Sequence, residues 1–120
     1  MRKAIVIDDS KAMVKLVVGI LSEFKYQTIS SFNIEDALDV PITTGIEVII
    51  TDIFMPGIGG IEGIGLLRKR FPSARIIAMT AGWDLMGPEK VLAAALKIGA
   101  DAGLAKPFTP KSLQEVIEAA

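Results

Sequence analysis

The chain has no cysteine and no histidine. Without cysteine there are no disulfides and no thiolate chemistry. Without histidine there is no histidine-based triad, no histidine-ligated metal and no phosphohistidine formed within this chain. A surplus of one charge sign is also missing: Lys plus Arg number 13 and Asp plus Glu 14. With no basic stripe and no block of like charge, no nucleic-acid or polyanion role is implied. Long apolar runs are lacking too. The apolar part of the start, through Asp8, is too short for a signal peptide, and no stretch approaches a transmembrane helix. The expectation is a soluble cytoplasmic protein that does not engage a membrane. A length of 120 residues, 51% of them hydrophobic, predicts one domain over residues 1–120 with a real core.

What is present centres on Val48-Ile49-Ile50-Thr51-Asp52-Ile53-Phe54-Met55-Pro56. It opens as an almost wholly apolar run, the pattern of a strand buried on both faces. It breaks off at Asp52, which places that carboxylate at the carboxyl edge of a sheet, where ligands bind in open α/β folds. Before it, Ala4–Ile7 reads as a strand ending at Asp8-Asp9-Ser10. Ser10 caps a helix running to about Phe24, with Met13, Leu16, Val17, Ile20, Leu21 and Phe24 at helical spacing and Val14 and Val18 widening the apolar face. Residues 27–32 read as a half-polar edge strand. Asn33 caps a short helix over Ile34–Val40, stopped by Pro41, and Thr43-Thr44-Gly45 reads as loop.

After Pro56 comes Gly57-Ile58-Gly59-Gly60-Ile61-Glu62-Gly63-Ile64-Gly65. It suggests a phosphate loop, but no register yields either glycine-rich phosphate motif. It reads instead as a flexible turn and then a helix carrying Ile64, Leu67 and Phe71. Glycines inside that helix cost about 1 kcal/mol each relative to alanine, which predicts a weak first turn. Residues 74–79 form a fourth strand ending at Thr80-Ala81-Gly82, and Trp83–Pro88 reads as loop. A helix over Glu89–Ile98 turns Leu92, Ala95 and Leu96 inward and stops at Gly99. Ala102–Ala105 is a fifth strand ending at Lys106-Pro107. Thr109-Pro110 opens a last helix bearing Leu113, Val116 and Ile117. Five strands alternating with five helices predict a parallel sheet covered on both faces.

Four strand ends carry chemistry: Asp8-Asp9, Asp52, Thr80 and Lys106. In a flavodoxin-like order 2-1-3-4-5 the third strand is central, its neighbours lie about 4.8 Å away and the fifth strand about 10 Å, within reach of a lysine stem. Three carboxylates so close repel one another by about 4 kcal/mol per pair at 4 Å and an effective dielectric near 20. A divalent cation relieves this, and an all-oxygen set points to Mg²⁺ or Mn²⁺. A lysine and a hydroxyl beside it suit phosphoryl oxygens, and the carboxylate between them is the natural nucleophile. Singly, Asp8 or Asp9 reads as a helix cap, Thr80 as a turn residue and Lys106 as a surface charge. Asp52 alone demands a partner, because it ends a buried strand. Jointly the four ends favour a functional site.

These residues resemble the receiver domain of two-component response regulators. The resemblance covers essentially the whole chain and rests on Asp8-Asp9-Ser10, Asp52-Ile53-Phe54-Met55-Pro56, Thr80-Ala81, Gly99-Ala100-Asp101 and Lys106-Pro107-Phe108. It implies the five-stranded (βα)5 fold with order 2-1-3-4-5. It implies that Asp52 accepts a phosphoryl group from a histidine kinase or phosphotransfer protein. Asp9, Asp52 and the Phe54 carbonyl would ligate Mg²⁺ and Asp8 would act largely through water. Thr80 and the Ala81 backbone would bind phosphoryl oxygens, Lys106 would pair with the phosphoryl group, and the Lys106–Pro107 bond would be cis. Phe54 and Gly82 stand at positions that influence dephosphorylation in the family. Thr80 would move toward the phosphoryl group and the last helices would repack for an unknown downstream protein.

Two departures stand out. Gly59 replaces an Asp usual before the glycine that follows the Met-Pro turn, without touching the chemistry. Gly103 replaces a Tyr or Phe whose ring turns inward when the threonine moves. Another side chain, such as Trp83 or Phe108, would then transmit the change, or the output would use a different surface. The expected role is a phosphorylatable signalling module and not a turnover enzyme on a free substrate. A phosphatase of the haloacid dehalogenase type would want an Asp where Phe54 stands. A phosphorylation-independent interaction module is the alternative that Gly103 supports.

Overall fold

A computed structural model describes residues 2–54, 57, 60–81 and 87–118. Among the described residues five strands alternate with five helices: β1 (Arg2–Ile7), α1 (Lys11–Glu23), β2 (Tyr26–Ser31), α2 (Ile34–Leu38), β3 (Ile46–Asp52), α3 (Gly60–Arg70), β4 (Arg75–Thr80), α4 (Pro88–Ile98), β5 (Ala102–Ala105) and α5 (Pro110–Glu118). All strand pairs are parallel, in the order β2-β1-β3-β4-β5. This is the flavodoxin-like sandwich expected from the sequence.

β3 takes the centre because it is the most apolar strand, buried along its length apart from Glu47. Its side chains alternate between two cores, as strand geometry requires. Ile49 joins Ile34, Ala37, Ile64, Leu67, Val91 and Ala95, from α2, α3 and α4, on one face. Val48 and Ile50 join Val14, Val17, Leu21, Leu113 and Ile117, from α1 and α5, on the other.

The caps follow local chemistry. Ser10 Oγ accepts from the Met13 N–H at 3.2 Å, Asn33 Oδ1 from the Asp36 N–H at 2.7 Å, and Thr109 Oγ1 from the Ser112 N–H at 3.1 Å. Each satisfies a donor left open in a first helical turn. Gly99 ends α4 at φ 141°, a region that L side chains rarely adopt. Asp101 then ties the layers together: its Oδ2 accepts from the Ile76 N–H at 2.8 Å and pairs with Arg68 of α3.

Some details differ from the periodicity reading. α2 ends at Leu38 rather than Val40, and Ile42–Thr44 forms a 3₁₀ turn closed by Gly45 at φ 77°. Leu16 and Leu96, both placed on inward stripes, are 51% and 46% exposed. The stripe of α1 is centred on Val14, Val17 and Leu21, and that of α4 on Val91 and Ala95. A residue adjacent to such a centre is turned by about 100° and lands on the flank. Pro88 is the first residue of α4 and not loop. Most of the predicted Trp83–Pro88 loop, residues 83–86, lies outside the described residues, as do Met55, Pro56, Ile58, Gly59 and Gly82. Among the described residues no helix is long and apolar enough to cross a membrane.

The helix-interior glycines now separate into two kinds. A Cβ on Gly63 would stand 2.9 Å from Cγ1 and 3.1 Å from Cδ1 of Ile34, which is only 1% exposed. Gly63 therefore lets α2 and α3 approach. A Cβ on Gly19 of α1 would meet nothing within 4 Å. Gly19→Ala is expected to raise stability by about 0.5–1 kcal/mol through helix propensity alone. Gly63→Ala has the same gain but overpacks a fixed side chain at about 1–3 kcal/mol, leaving a net loss of about 1 kcal/mol. Urea unfolding of the two variants checks this, and shifts of the same sign would refute the packing role of Gly63.

Candidate functional site

The parallel sheet brings the carboxyl ends of the strands to one edge. Ile7 of β1 pairs with Thr51, Asp52 with Met79, and Thr80 with Ala105. Asp8, Asp52, Thr80 and Lys106 thus lie at the same level of the fold although they span the whole sequence. One oxygen each from Asp8, Asp9 and Asp52 lies within 4.8 Å of the others. Asp8 is buried, 1% exposed, and Asp52 nearly so at 9%, whereas Asp9 faces solvent.

Lys106 crosses from β5 to this cluster. Its ammonium donates to Asp8 Oδ2 at 3.1 Å and pairs with Asp52 Oδ1 at 3.3 Å. Its backbone N–H donates to the Thr80 carbonyl at 2.9 Å. Asp8 is fixed from the other side, where its Oδ1 accepts from the Ser10 N–H at 3.0 Å. The Lys106–Pro107 bond is cis. Lys106 is therefore a half-buried internal counter-ion and not a solvated surface charge.

Burial pushes the Asp52 carboxyl above the ordinary carboxylate range, and the neighbouring Asp8 carboxylate adds to the rise. The Lys106 charge and its hydrogen bond oppose it without cancelling it. Burial and a like charge both disfavour the ionised form, while an opposite charge favours it. Thr80, 1% exposed, ends the neighbouring strand at the same edge, and Ala81 after it is exposed. Phe54, 38% exposed, stands just beyond Asp52.

Three carboxylates against one ammonium leave an excess of negative charge at a partly buried site. The donors are all oxygen, which suits a hard divalent cation. A carboxyl group, a buried hydroxyl and a lysine on adjacent strand ends form a set that suits phosphoryl chemistry. The sequence pattern located all of these residues. It did not show that Lys106 is shared between two carboxylates, or that the Ser10 backbone holds Asp8. The Ser10 cap is the nearest signal in the sequence, since a residue that caps a helix two positions after Asp8 presents its N–H to that side chain.

Comparison with known proteins agrees with this geometry. The family profile described as response regulator receiver domain matches residues 4–118. Chemotaxis protein CheY1 of Helicobacter pylori is 30% identical over 120 residues, covering 97% of this chain and 94% of that protein. The alkaline phosphatase synthesis transcriptional regulatory protein PhoP of Bacillus subtilis is also 30% identical, but this chain spans only 48% of its length. Among solved structures, Vibrio cholerae chemotaxis protein CheY4 superposes with a TM-score of 0.83 at 27% identity, covering 98% of this chain and 96% of that one. A Burkholderia pseudomallei response regulator protein, solved with a phosphorylated aspartic acid and a calcium ion, gives a TM-score of 0.85 at 25% identity over 99% of this chain and 68% of that one. With the strand order, the acidic edge and the family profile in agreement, this chain belongs to the response regulator receiver domain family.

Proposed function

We propose that this chain is a phosphoryl-accepting signalling domain in which Asp52 is the acceptor. The observation that carries this is the joint hold of the Lys106 ammonium on Asp8 and Asp52, at 3.1 and 3.3 Å, beside a third carboxylate. An Asp52 carboxylate oxygen attacks the phosphorus of a phosphohistidine. The P–N bond breaks as the P–O bond forms, and the electron pair leaves with the imidazole. The chain has no histidine, so the donor is another molecule: a histidine kinase or a phosphotransfer protein.

Asp8, Asp9, Asp52 and the Phe54 carbonyl would hold Mg²⁺, with Mn²⁺ as a substitute. The metal would neutralise charge on the transferring group. The Thr80 hydroxyl and the Ala81 N–H donate hydrogen bonds to phosphoryl oxygens, and the Lys106 ammonium pairs with one of them. Each Asp52 takes one phosphoryl group, so the domain catalyses a change in itself and not the turnover of a free substrate. The output is a changed surface for a downstream protein, in the cytoplasm, with no nucleic acid or membrane bound by this domain.

The test is intact mass after incubation with acetyl phosphate and Mg²⁺. Wild type is expected to gain one phosphoryl group, and Asp52→Asn none. If wild type stays unmodified with every donor and metal, the phosphorylation-independent interaction module takes over. Gly103 is the residue that favours that second reading.

A further inference from the structure

The chain that leaves Asp52 is pinned at both ends. The Ile53 N–H donates to the Met79 carbonyl at 3.2 Å, and the Ile53 carbonyl accepts from the Gly60 N–H at the start of α3. Between these anchors stand Phe54 and Gly57. Gly57 has φ 82°, and a Cβ there would stand 2.5 Å from Oε2 and 3.3 Å from Oε1 of Glu35. A glycine carries only a hydrogen at that place, so the Glu35 carboxylate lies directly against the Gly57 backbone. The frame behind Glu35 is well fixed. Its buried neighbour Ile34 fills the space beside Gly63 of α3, and Asn33 caps α2 through the Asp36 N–H at 2.7 Å. Two adjacent residues of α2 thus key into two glycines that follow Asp52.

We propose that Glu35 is a positioning residue for the divalent cation: seated on Gly57, its carboxylate holds the chain after Asp52 in the form that lets the Phe54 carbonyl join Asp8, Asp9 and Asp52 as a ligand. The inference rests on the assignment of a cation to those three carboxylates. It concerns the one member of the set that is a main-chain group. A side-chain carboxylate reaches a metal by rotating about its own bonds, whereas a carbonyl is aimed only by the stretch of chain that carries it. A carboxylate set against bare backbone accepts from its N–H and Cα–H groups, and so can fix such a stretch. Glu35 stands outside the cluster of Asp8, Asp9 and Asp52, so it acts through the chain and not as a ligand. Partners of this outer kind orient the groups that touch a metal.

The test is calorimetric titration of the full chain with Mg²⁺ at fixed ionic strength, for wild type and three variants, with denaturant unfolding in chelator on the same samples. Glu35→Ala removes the contact and is expected to weaken Mg²⁺ binding about tenfold, the scale on which outer partners of a metal site act. Glu35→Gln keeps the reach and an acceptor oxygen without the charge, and is expected to stay within about twofold of wild type. Glu35→Asp keeps the charge without the reach, and is expected to fall with Glu35→Ala. Glu35 is exposed, so all four proteins are expected to unfold at the same denaturant concentration when no metal is present. Unchanged affinity in Glu35→Ala overturns the inference. So does a loss in Glu35→Gln with none in Glu35→Asp, which would mark a long-range charge effect. Metal-free stability that falls in step with affinity overturns it too, since the contact would then serve the fold alone. A wild type that binds no Mg²⁺ instead overturns the cation assignment itself, and this inference with it.

Discussion

Lys106→Met is expected to bind Mg²⁺ about tenfold more tightly than wild type, a gain of roughly 1.4 kcal/mol. The ammonium now sits 3.1 Å from Asp8 and 3.3 Å from Asp52, and so occupies two of the three carboxylates a metal would use. A dication held by the same carboxylates would be repelled by that ammonium, at an effective dielectric near 20 by roughly several kcal/mol. Solvent screens part of this, because the Lys106 side chain is 18% exposed. Methionine keeps much of the stem's volume without the charge. Under the proposed function the same substitution should slow adduct formation from acetyl phosphate by roughly 100-fold, since the donor that would face the developing phosphoryl charge is gone. Calorimetric titration with Mg²⁺ at fixed ionic strength, beside a time course of intact mass, checks both. Unchanged metal affinity would show that Lys106 does not compete for the carboxylates.

Asp52→Asn should make the metal-free protein more stable than wild type at neutral pH, by about 2 kcal/mol. This is the scale of one carboxylate repulsion in a partly buried site after screening. Burial and Asp8 both disfavour the ionised form of Asp52 and push its pKa up. The amide keeps an oxygen to accept from Lys106 and loses the charge. The sign follows from proton linkage. A carboxyl with a raised native pKa binds more protons folded than unfolded, so its ionisation destabilises the fold as pH rises through the native value. Wild type therefore regains stability as pH falls through that value. The advantage of Asp52→Asn is greatest above it and disappears below the ordinary carboxylate pKa of about 4. Denaturant unfolding of both proteins in chelator, from neutral to acid pH, measures the difference. Added Mg²⁺ should stabilise wild type more than the variant and narrow the gap. A variant less stable than wild type at neutral pH would mean that the Lys106 ion pair outweighs burial and the Asp8 repulsion together.

The amino-acid sequence by itself determined the element order, the starts of α1, α2 and α5, and the sheet edge at which the candidate site residues gather. Each of these depends on near neighbours in the chain. The caps at Ser10, Asn33 and Thr109 bond to an N–H three residues ahead, and the break of an apolar run at Asp52 is visible without any partner. Parallel pairing then follows from the alternation of strands and helices, and it brings all the strand ends to one edge. Only the tertiary structure decided what those residues do to one another. Lys106 is shared between Asp8 and Asp52 across a separation of 98 residues in one case. Burial and Asp8 together set the proton affinity of Asp52. Ile34 crowds the space a side chain at Gly63 would take, and Leu92 crowds that at Gly103. Leu16 and Leu96 stay at the surface because the packed stripes centre on their neighbours Val17 and Ala95. These are distances between chain-distant atoms, to which forces of a few ångströms' range respond, and periodicity along one segment carries no information about them.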